Sequence, residues 1–353
     1  MVRWLALTAL TGLGALAGGA IGLPSPALFA GMLAGIAVAL LWPGRDSEPA
    51  RPGLPRMVLR VSEGLVGVVL GTYVELSTLE EIGGHLLAIV LVTLATLGLS
   101  VACGLALARL TELDRATAAF GTIAGGASGI IVMARELGAD QRLVAVLQYL
   151  RVLVVVMLTP VVAATAFGGG GAGGTGGIGA AGGGLPGVAF AAVCVGTGLL
   201  LARRVPLPAP TLLLPLLVAA VLTVTGAPGV AGVPVALQEL AFAVIGIEVG
   251  LRFTPASLRS AGRILLPALG LIAALLAGSF ALALVLAPLA GVSTLSAYLA
   301  TTPGGLYAVL AVAVGSGADT TFVLAVQVLR LLVMLLAAPA LARRLTPAGT
   351  TRA

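Results

Sequence analysis

Two arginines in the middle of apolar segments are the residues of this chain best suited to chemistry. Arg151 and Arg330 lie 179 residues apart, and Gln148 and Gln327 precede them by the same interval. Residues three apart share a helix face, so each glutamine and arginine form a predicted pair. A guanidinium group keeps its charge in proteins and offers a planar fork of N–H donors to a carboxylate or phosphate. The two pairs therefore predict a binding site for a small anionic solute.

The same arginines also fit an interpretation that needs no solute. A charged group inside a membrane requires a partner, which carbonyl groups at a helix C-terminus or a glutamate could supply. The candidate charge partners in apolar segments are Glu63, Glu239 and Glu248. The two interpretations are compatible, because a glutamate can hold an arginine until a solute anion displaces it.

Glycine-rich breaks precede both arginines at the same spacing, Gly125-Gly126 in one half and Pro303-Gly304-Gly305 in the other. Irregular backbone in a membrane is tolerated only where it is buried in protein or lines a cavity, and helix N-termini favour anions. A simple kink or close helix crossing is the alternative. With neighbouring hydroxyl-bearing residues, the predicted substrate-binding set gains Gly125, Gly126, Ser128, Thr302, Pro303, Gly304, Gly305 and Tyr307.

Asp140 and Asp319 each lie eleven residues before an arginine. An aspartate at this place predicts a helix N-cap. Eleven helical residues rise about 16 Å, roughly half the hydrocarbon thickness of a bilayer. The arginines are therefore expected near the membrane midplane.

Composition predicts an all-α polytopic membrane protein. The 353 residues are 59% hydrophobic and only 9% charged, and the mean hydropathy is +1.16. A soluble domain of this size needs far more polar surface. All nineteen basic residues are arginine, and most lie in short loops beside apolar segments, which indicates cytoplasmic loops rather than a nucleic-acid surface.

The chain divides into two repeats, with Leu23-Pro24-Ser25-Pro26 returning as Leu207-Pro208-Ala209-Pro210. We predict membrane repeat 1 over 1–167, a Gly-rich tether over 168–184 and membrane repeat 2 over 185–353. Each repeat contains six predicted elements. In the first these are 4–21, 26–42, 57–74, 84–109, a broken element at 115–138, and 141–166. In the second they are 186–203, 209–225, 235–253, 263–288, 294–316 and 320–342.

The distribution of arginines favours broken elements that enter the membrane and return on the same side. Five crossings then remain in each repeat, so the two repeats are inverted relative to each other, and both termini are cytoplasmic. Full crossing of 115–138 and 294–316 is the competing topology. We expect a multi-pass protein of the bacterial plasma (inner) membrane, with a first helix that is retained rather than cleaved.

Cofactor and metal chemistry find little support in the residue types. His85 is the single histidine, and Cys103 and Cys194 lie apart in apolar segments, so no metal site is expected. The tether lacks the Lys-Ser/Thr of a nucleotide-binding loop. The expected partners are the lipid bilayer and a small anionic solute, with H⁺ or Na⁺ as candidate coupling ions and a homo-oligomer as a candidate assembly. We expect no cofactor and no nucleic acid.

Two long phrases carry a resemblance to a known family. They are Gly-Gly…Gly-Ala-Asp…Gln-Tyr-Leu-Arg…Pro in the first half and Thr-Thr-Pro-Gly-Gly-Leu…Gly-Ala-Asp…Gln-Val-Leu-Arg-Leu-Leu in the second. They resemble the AbrB-type bacterial integral membrane family, whose members often bear the labels "ammonia monooxygenase" or "AbrB family transcriptional regulator". The family is similar in pattern to cation/proton antiporters and bile-acid-symporter-like transporters, which implies inverted repeats with discontinuous helices. Ile123-Ala124 stands where the second half has Thr302-Pro303, so the two breaks need not act alike.

Three hypotheses follow. The first is a secondary transporter of a small anion. The second is a membrane sensor or regulator that binds a solute and affects gene expression indirectly. The third, a membrane enzyme, is the least supported, because a copper monooxygenase needs histidine ligands that this chain does not supply.

Overall fold

A computed structural model describes most of the chain. The described residues are 2–21, 23, 25–41, 54–74, 77, 80, 83–123, 130, 134, 139–167, 184–205, 207, 209–226, 232–253, 255, 259 and 262–345. Within this part of the chain the side chains of 2, 160, 164, 335 and 338–345 are not described.

Every regular element in the described residues is helical. The helices are α1 (Val2–Ala20), α2 (Pro26–Leu41), α3 (Arg56–Gly71), α4 (Leu86–Leu110), α5 (Arg115–Thr122), α6 (Gln141–Ala166), α7 (Leu185–Leu201), α8 (Pro210–Val224), α9 (Val235–Gly250), a 3₁₀ turn (Gly262–Ile264), α10 (Leu265–Ala290), α11 (Thr294–Thr301), α12 (Leu306–Ser316) and α13 (Thr320–Leu345). The all-α prediction is confirmed, and each of these helices falls on a predicted element.

Helix length and hydropathy identify a membrane protein. Three described stretches are long and apolar enough to cross a bilayer, at Leu86–Leu110, Gln141–Ala163 and Gly262–Ala290. Several shorter helices are also apolar, including α2, α7 and α8. Because a span of about 20 apolar residues matches the hydrocarbon core, the prediction of a membrane protein is confirmed.

The second repeat contains the predicted helix break. Helix α11 ends at Thr301 and α12 begins at Leu306. Between them the N–H of Gly304 donates to the carbonyl of Thr302 at 2.9 Å, which closes a tight turn. In the first repeat α5 ends at Thr122, and the continuation through Gly125, Gly126 and Ser128 lies outside the described residues.

The third residues of the two Leu-Pro-x-Pro motifs, Ser25 and Ala209, adopt the same unusual backbone. Ser25 has a φ of 52° and Ala209 has a φ of 47°, in the left-handed region that non-glycine residues seldom enter. In both motifs the next residue is the proline that begins a helix, α2 or α8, where its fixed φ suits the first helical position. The repetition in sequence is thus also a repetition in backbone conformation at these two points.

The chain forms two compact units, and each draws helices from both repeats. Unit 1 comprises Met1–Gly83, Thr159–Pro255 and Tyr307–Leu324, whereas unit 2 comprises Gly84–Leu158, Ala256–Leu306 and Ala325–Ala353. In unit 1, α2 packs against α9, and α3 packs against α8. In unit 2, α4 and α10 pack together and also contact α5 and α11. In unit 1, α2 and α3 thus each pack against the second-repeat counterpart of the other, whereas in unit 2 the equivalent helices α4 and α10 pack against each other.

Close contacts at glycines explain how the short helices of unit 1 pack. A Cβ at Gly246 would lie 2.1 Å from the carbonyl oxygen of Leu28, and one at Gly250 would lie 2.2 Å from that of Met32. Across the other pair, a Cβ at Gly67 would lie 2.3 Å from the carbonyl oxygen of Leu212. These helices approach backbone to backbone, as small residues allow in membranes.

Candidate site: two arginine–glutamine pairs at helix ends

Arg330 and Gln327 together bind the carbonyl end of α11. The side-chain amide of Gln327 donates to the carbonyl groups of Leu299 at 2.8 Å and Thr302 at 3.3 Å. The guanidinium of Arg330 donates to the carbonyl of Thr302 at 2.7 Å and to the amide oxygen of Gln327. The last carbonyl groups of a helix have no partner within the helix, so this pair satisfies the C-terminus of α11.

Arg151 and Gln148 make the equivalent contacts in the first repeat. The side-chain amide of Gln148 donates to the carbonyl groups of Phe120 at 2.6 Å and Ile123 at 2.8 Å. The guanidinium of Arg151 donates to the carbonyl of Thr122 at 3.0 Å and to the amide oxygen of Gln148 at 2.9 Å. The counterparts of these acceptors, 179 residues later, also accept in the second repeat, although Arg330 lies closer to the carbonyl of Thr302, at 2.7 Å, than to that of Thr301, the counterpart of Thr122, at 3.5 Å.

A threonine hydroxyl fastens each of these helix ends to a long helix. The hydroxyl of Thr122 donates to the carbonyl of Ser100 in α4 at 2.9 Å, and that of Thr301 donates to the carbonyl of Ser279 in α10 at 3.0 Å. Thr122 was missed in the sequence analysis. The signal was available, because threonine recurs at 122 and 301, and serine at 100 and 279.

Two aspartates cap the N-termini of the helices that carry the arginines. The carboxylate of Asp140 accepts from the N–H groups of Arg142 at 2.8 Å and Leu143 at 3.2 Å. That of Asp319 accepts from the N–H of Phe322 at 2.9 Å. These are N-cap contacts at the starts of α6 and α13. The arginines then follow at the same height along each helix.

The electrostatic balance of the site is unusual. Arg151 is 3% exposed and Arg330 is 5% exposed, and the positive charge of Arg330 acts on Arg151. Among the described residues, no carboxylate lies within salt-bridge distance of either guanidinium; each is bound by neutral carbonyl and amide oxygens. The Nε atom of Arg151 is buried with no hydrogen-bond partner in the described structure. Unit 2 thus buries two cations whose charge the described residues leave unbalanced.

A small cavity adjoins Arg151. Its volume is about 10 Å³, near the lower limit for a single water molecule. Its lining includes Thr122 and Gly121 at the end of α5, Cys103 on α4 and Ile272 on α10. In this conformation the cavity cannot admit a solute larger than water.

The predicted charge partners lie in unit 1 and have other contacts there. Glu248 pairs with Arg252 at 2.8 Å. The N–H of Ala27, in α2, donates to the carboxylate of Glu239 at 3.3 Å. Glu63 accepts a hydrogen bond from the hydroxyl of Thr211.

The remaining predicted binding residues belong to the break of the second repeat. Thr302, Pro303 and Gly304 are buried, and Gly305 and Tyr307 are partly exposed. Thr302 is brought to Arg330 and Gln327, whereas Tyr307 contacts Glu63 in unit 1. Gly125, Gly126 and Ser128 lie outside the described residues. Within the described part of the chain, no three His, Cys, Asp or Glu side chains gather as a metal site requires.

Comparison with known proteins relates this chain to one family and to two bacterial proteins. Residues 45–346 match the family described as "Transition state regulatory protein AbrB". The chain is 33% identical over 328 residues to "Putative regulator AbrB" of Escherichia coli (strain K12), covering 92% of this chain and 91% of that protein. It is also 27% identical over 305 residues to "Uncharacterized protein YhjN" of Bacillus subtilis (strain 168), covering 82% and 79% respectively.

Proposed function

The chain belongs to the AbrB family, and from that premise together with the geometry of the arginines we propose that it is a secondary transporter of a small anionic solute. The solute is bound at Arg151 and Arg330. Its negative charge balances the two guanidinium charges, which no carboxylate among the described residues balances, and the glutamines and helix ends orient the two groups.

One observation carries the proposal, namely two buried guanidinium groups without a carboxylate among the described residues. Burying an ion costs several kcal/mol even after relaxation, and two like charges repel each other as well. Carbonyl oxygens at a helix C-terminus offset part of this cost through their partial negative charge. A bound anion offsets more, and the unpartnered Nε of Arg151 leaves it a donor.

Access to the arginines requires a change of conformation. The cavity beside Arg151 has room for about one water molecule, so the described conformation is closed to the solute. Irregular backbone such as the turn at 302–305 is the kind of element that absorbs such movements in transporters. Opening and closing around a fixed pair of arginines is what alternating access needs.

For the membrane we propose a simple arrangement. The repeats are inverted, the protein lies in the bacterial plasma membrane, and both termini are cytoplasmic. Short loops rich in arginine, including Arg203-Arg204, favour the cytoplasmic side. A re-entrant path for 115–138 and 294–316 agrees with these loops. A homo-oligomer is the proposed assembly.

A second function is favoured by the relatives. The family description contains the word "regulatory", and the name of the Escherichia coli relative contains the word "regulator". In this alternative the arginines bind a solute that the protein senses without moving it, and gene expression changes indirectly. Saturable binding to purified protein without flux into proteoliposomes would select this alternative over transport.

The proposal is tested by thermal unfolding of the purified protein with acetate, succinate, citrate, phosphate and sulfate, each at equal ionic strength. A ligand that binds the folded protein stabilises it by mass action, by about 2.7 kcal/mol at one hundred times its dissociation constant. We expect one class of anion to raise the unfolding temperature of the wild type. Arg151→Ala and Arg330→Ala should remove that rise.

Two controls make the outcome decisive. Arg263→Ala removes an exposed arginine of the same unit and should respond like the wild type. Circular dichroism establishes that each variant remains helical. If the folded variants at 151 and 330 respond to anions as the wild type does, the arginines are structural and the proposed site is abandoned.

A further inference from the structure

We propose that Glu63 is the proton-binding residue of this protein and that its proton is the coupling ion. The inference deepens the proposed function and rests on it for the role in coupling. Glu63 lies in α3 of unit 1, seven residues after the first residue of that helix, and α3 packs against the apolar helices α7 and α8. Ionisable groups that face apolar membrane helices are rare and usually serve transport or proton relay.

Two hydroxyl groups from other helices lie beside the carboxylate of Glu63. The hydroxyl of Thr211, at the start of α8, donates to it. The hydroxyl of Tyr307, at the start of α12, also interacts with it. Both donors come from the second repeat, whereas Glu63 comes from the first. The carboxylate is therefore bound at a junction of three helices within unit 1.

Among the described residues, no charged group forms an ion pair with Glu63. Arg60, on the same helix, acts on Glu63 only through space. From α9, Glu248 repels it, and Glu248 is itself paired with Arg252. Neither α7 nor α8, which also pack against α3, contains a charged residue. Glu63 can thus exchange its negative charge for a proton without breaking a salt bridge.

The hydroxyl donors favour a proton over a metal cation as the ligand. A Na⁺ ion needs oxygen lone pairs directed towards it, but the Thr211 hydroxyl directs its hydrogen to the carboxylate. A proton joins the carboxylate without displacing either residue, because a carboxyl group still accepts hydrogen bonds.

A short segment of chain links Glu63 to the proposed anion site. Thr302 supplies the carbonyl that binds Arg330, and Tyr307, five residues later, supplies the hydroxyl that binds Glu63. Protonation of Glu63 weakens its hold on Tyr307, because a neutral carboxyl is a poorer acceptor than a carboxylate. A change in this segment then acts on the carbonyl that Arg330 binds. Linkage of this kind is what coupling between proton and solute requires.

Infrared difference spectroscopy of the purified protein tests the proton site without any solute. Acidification should produce a carbonyl stretching band of a protonated carboxyl in the wild type, and Glu63→Gln should lose that band. Tyr307→Phe keeps the carboxyl but removes one hydrogen bond, so the band should move to higher frequency. Glu80→Gln, at an exposed carboxylate of unit 1, should retain the band at the wild-type position.

The proposal is overturned if Glu63→Gln gives the wild-type spectrum, or if Tyr307→Phe leaves the band unmoved. The second variant decides the matter if the first does not fold. Failure of this inference is distinct from failure of the anion site. If anions stabilise the protein but no Glu63 band appears, only the proton site is rejected. If the Glu63 band appears but no anion stabilises the protein, the transporter proposal is rejected and the proton site is retained.

Discussion

The guanidinium of Arg330 donates to the carbonyl of Thr302 at 2.7 Å, at the residue where α11 gives way to the break. In the first repeat the guanidinium of Arg151 donates to the carbonyl of Thr122, the last residue of α5, at 3.0 Å. In each repeat a buried cation is therefore fixed to the negative end of a half-helix. This arrangement explains how a guanidinium with no carboxylate partner among the described residues is tolerated. It also fixes the position of the guanidinium for a ligand.

Replacing Arg330 by lysine tests the planar geometry of the guanidinium separately from its positive charge. Arg330→Lys keeps the positive charge but cannot reach a carbonyl and the Gln327 amide in the same plane. We expect a loss of about 1–3 kcal/mol in the free energy of unfolding, because carbonyl groups at the end of α11 lose a donor. Chemical unfolding in mixed detergent micelles measures this loss of free energy. Arg263→Lys, at an exposed position, should change nothing, and equal stability of the two variants contradicts the hydrogen-bonding role of Arg330.

An internal carboxylate should compete with the solute. Gln327→Glu places a negative charge beside Arg330 where the wild type has a neutral amide. The guanidinium charge is then balanced within the protein, so we expect affinity for the stabilising anion to fall about tenfold or more, equivalent to about 1.4 kcal/mol. Titration by thermal shift measures this. Gln238→Glu makes the same change at a glutamine bound to the carbonyl of Val233 and should leave anion affinity intact; unchanged affinity in Gln327→Glu would speak against the anion site.

The contact of α9 with α2 leaves no room for a methyl group at Gly246. A Cβ there would lie 2.1 Å from the carbonyl oxygen of Leu28, and backbone on both sides prevents relief by a side-chain rotation. We expect Gly246→Ala to lower the free energy of unfolding by about 1–3 kcal/mol. Gly196→Ala is the matched control in α7, where a Cβ meets nothing within 4 Å. A neutral Gly246→Ala would mean that α2 and α9 do not approach this closely.

Left-handed backbone at Ala209 predicts a stabilising substitution. The φ of Ala209 is 47°, a conformation that costs alanine about 1–2 kcal/mol but that glycine adopts freely. Ala209→Gly should therefore raise the free energy of unfolding by about 1 kcal/mol, less the backbone entropy of glycine in the unfolded chain. Ala209→Val, which is branched at Cβ, should lower it. Thermal unfolding of the two variants in parallel gives the sign, and destabilisation by glycine would refute the left-handed assignment.

Hydropathy and repetition were sufficient to predict the helices and their equivalence. Long uncharged runs predict spans because backbone in hydrocarbon must satisfy its own hydrogen bonds. Proline and glycine mark where these runs end, as at Pro26 and at Gly304. The break in the second repeat and the pairing of Gln327 with Arg330 could be placed in this way, because both depend on residues close in sequence.

Only the tertiary structure decided what each arginine binds. The carbonyl that Arg330 reaches lies 28 residues earlier in the chain, and the sequence left helix-end carbonyl groups, glutamates and a solute anion open as its partners. Such a choice depends on how helices approach one another, which is set by packing over the whole unit rather than by any local pattern. The same holds for Glu63, whose hydroxyl donor Thr211 is 148 residues away. Local residue types determine which groups need a hydrogen-bond partner. Only the packing of helices distant in sequence determines which group becomes that partner.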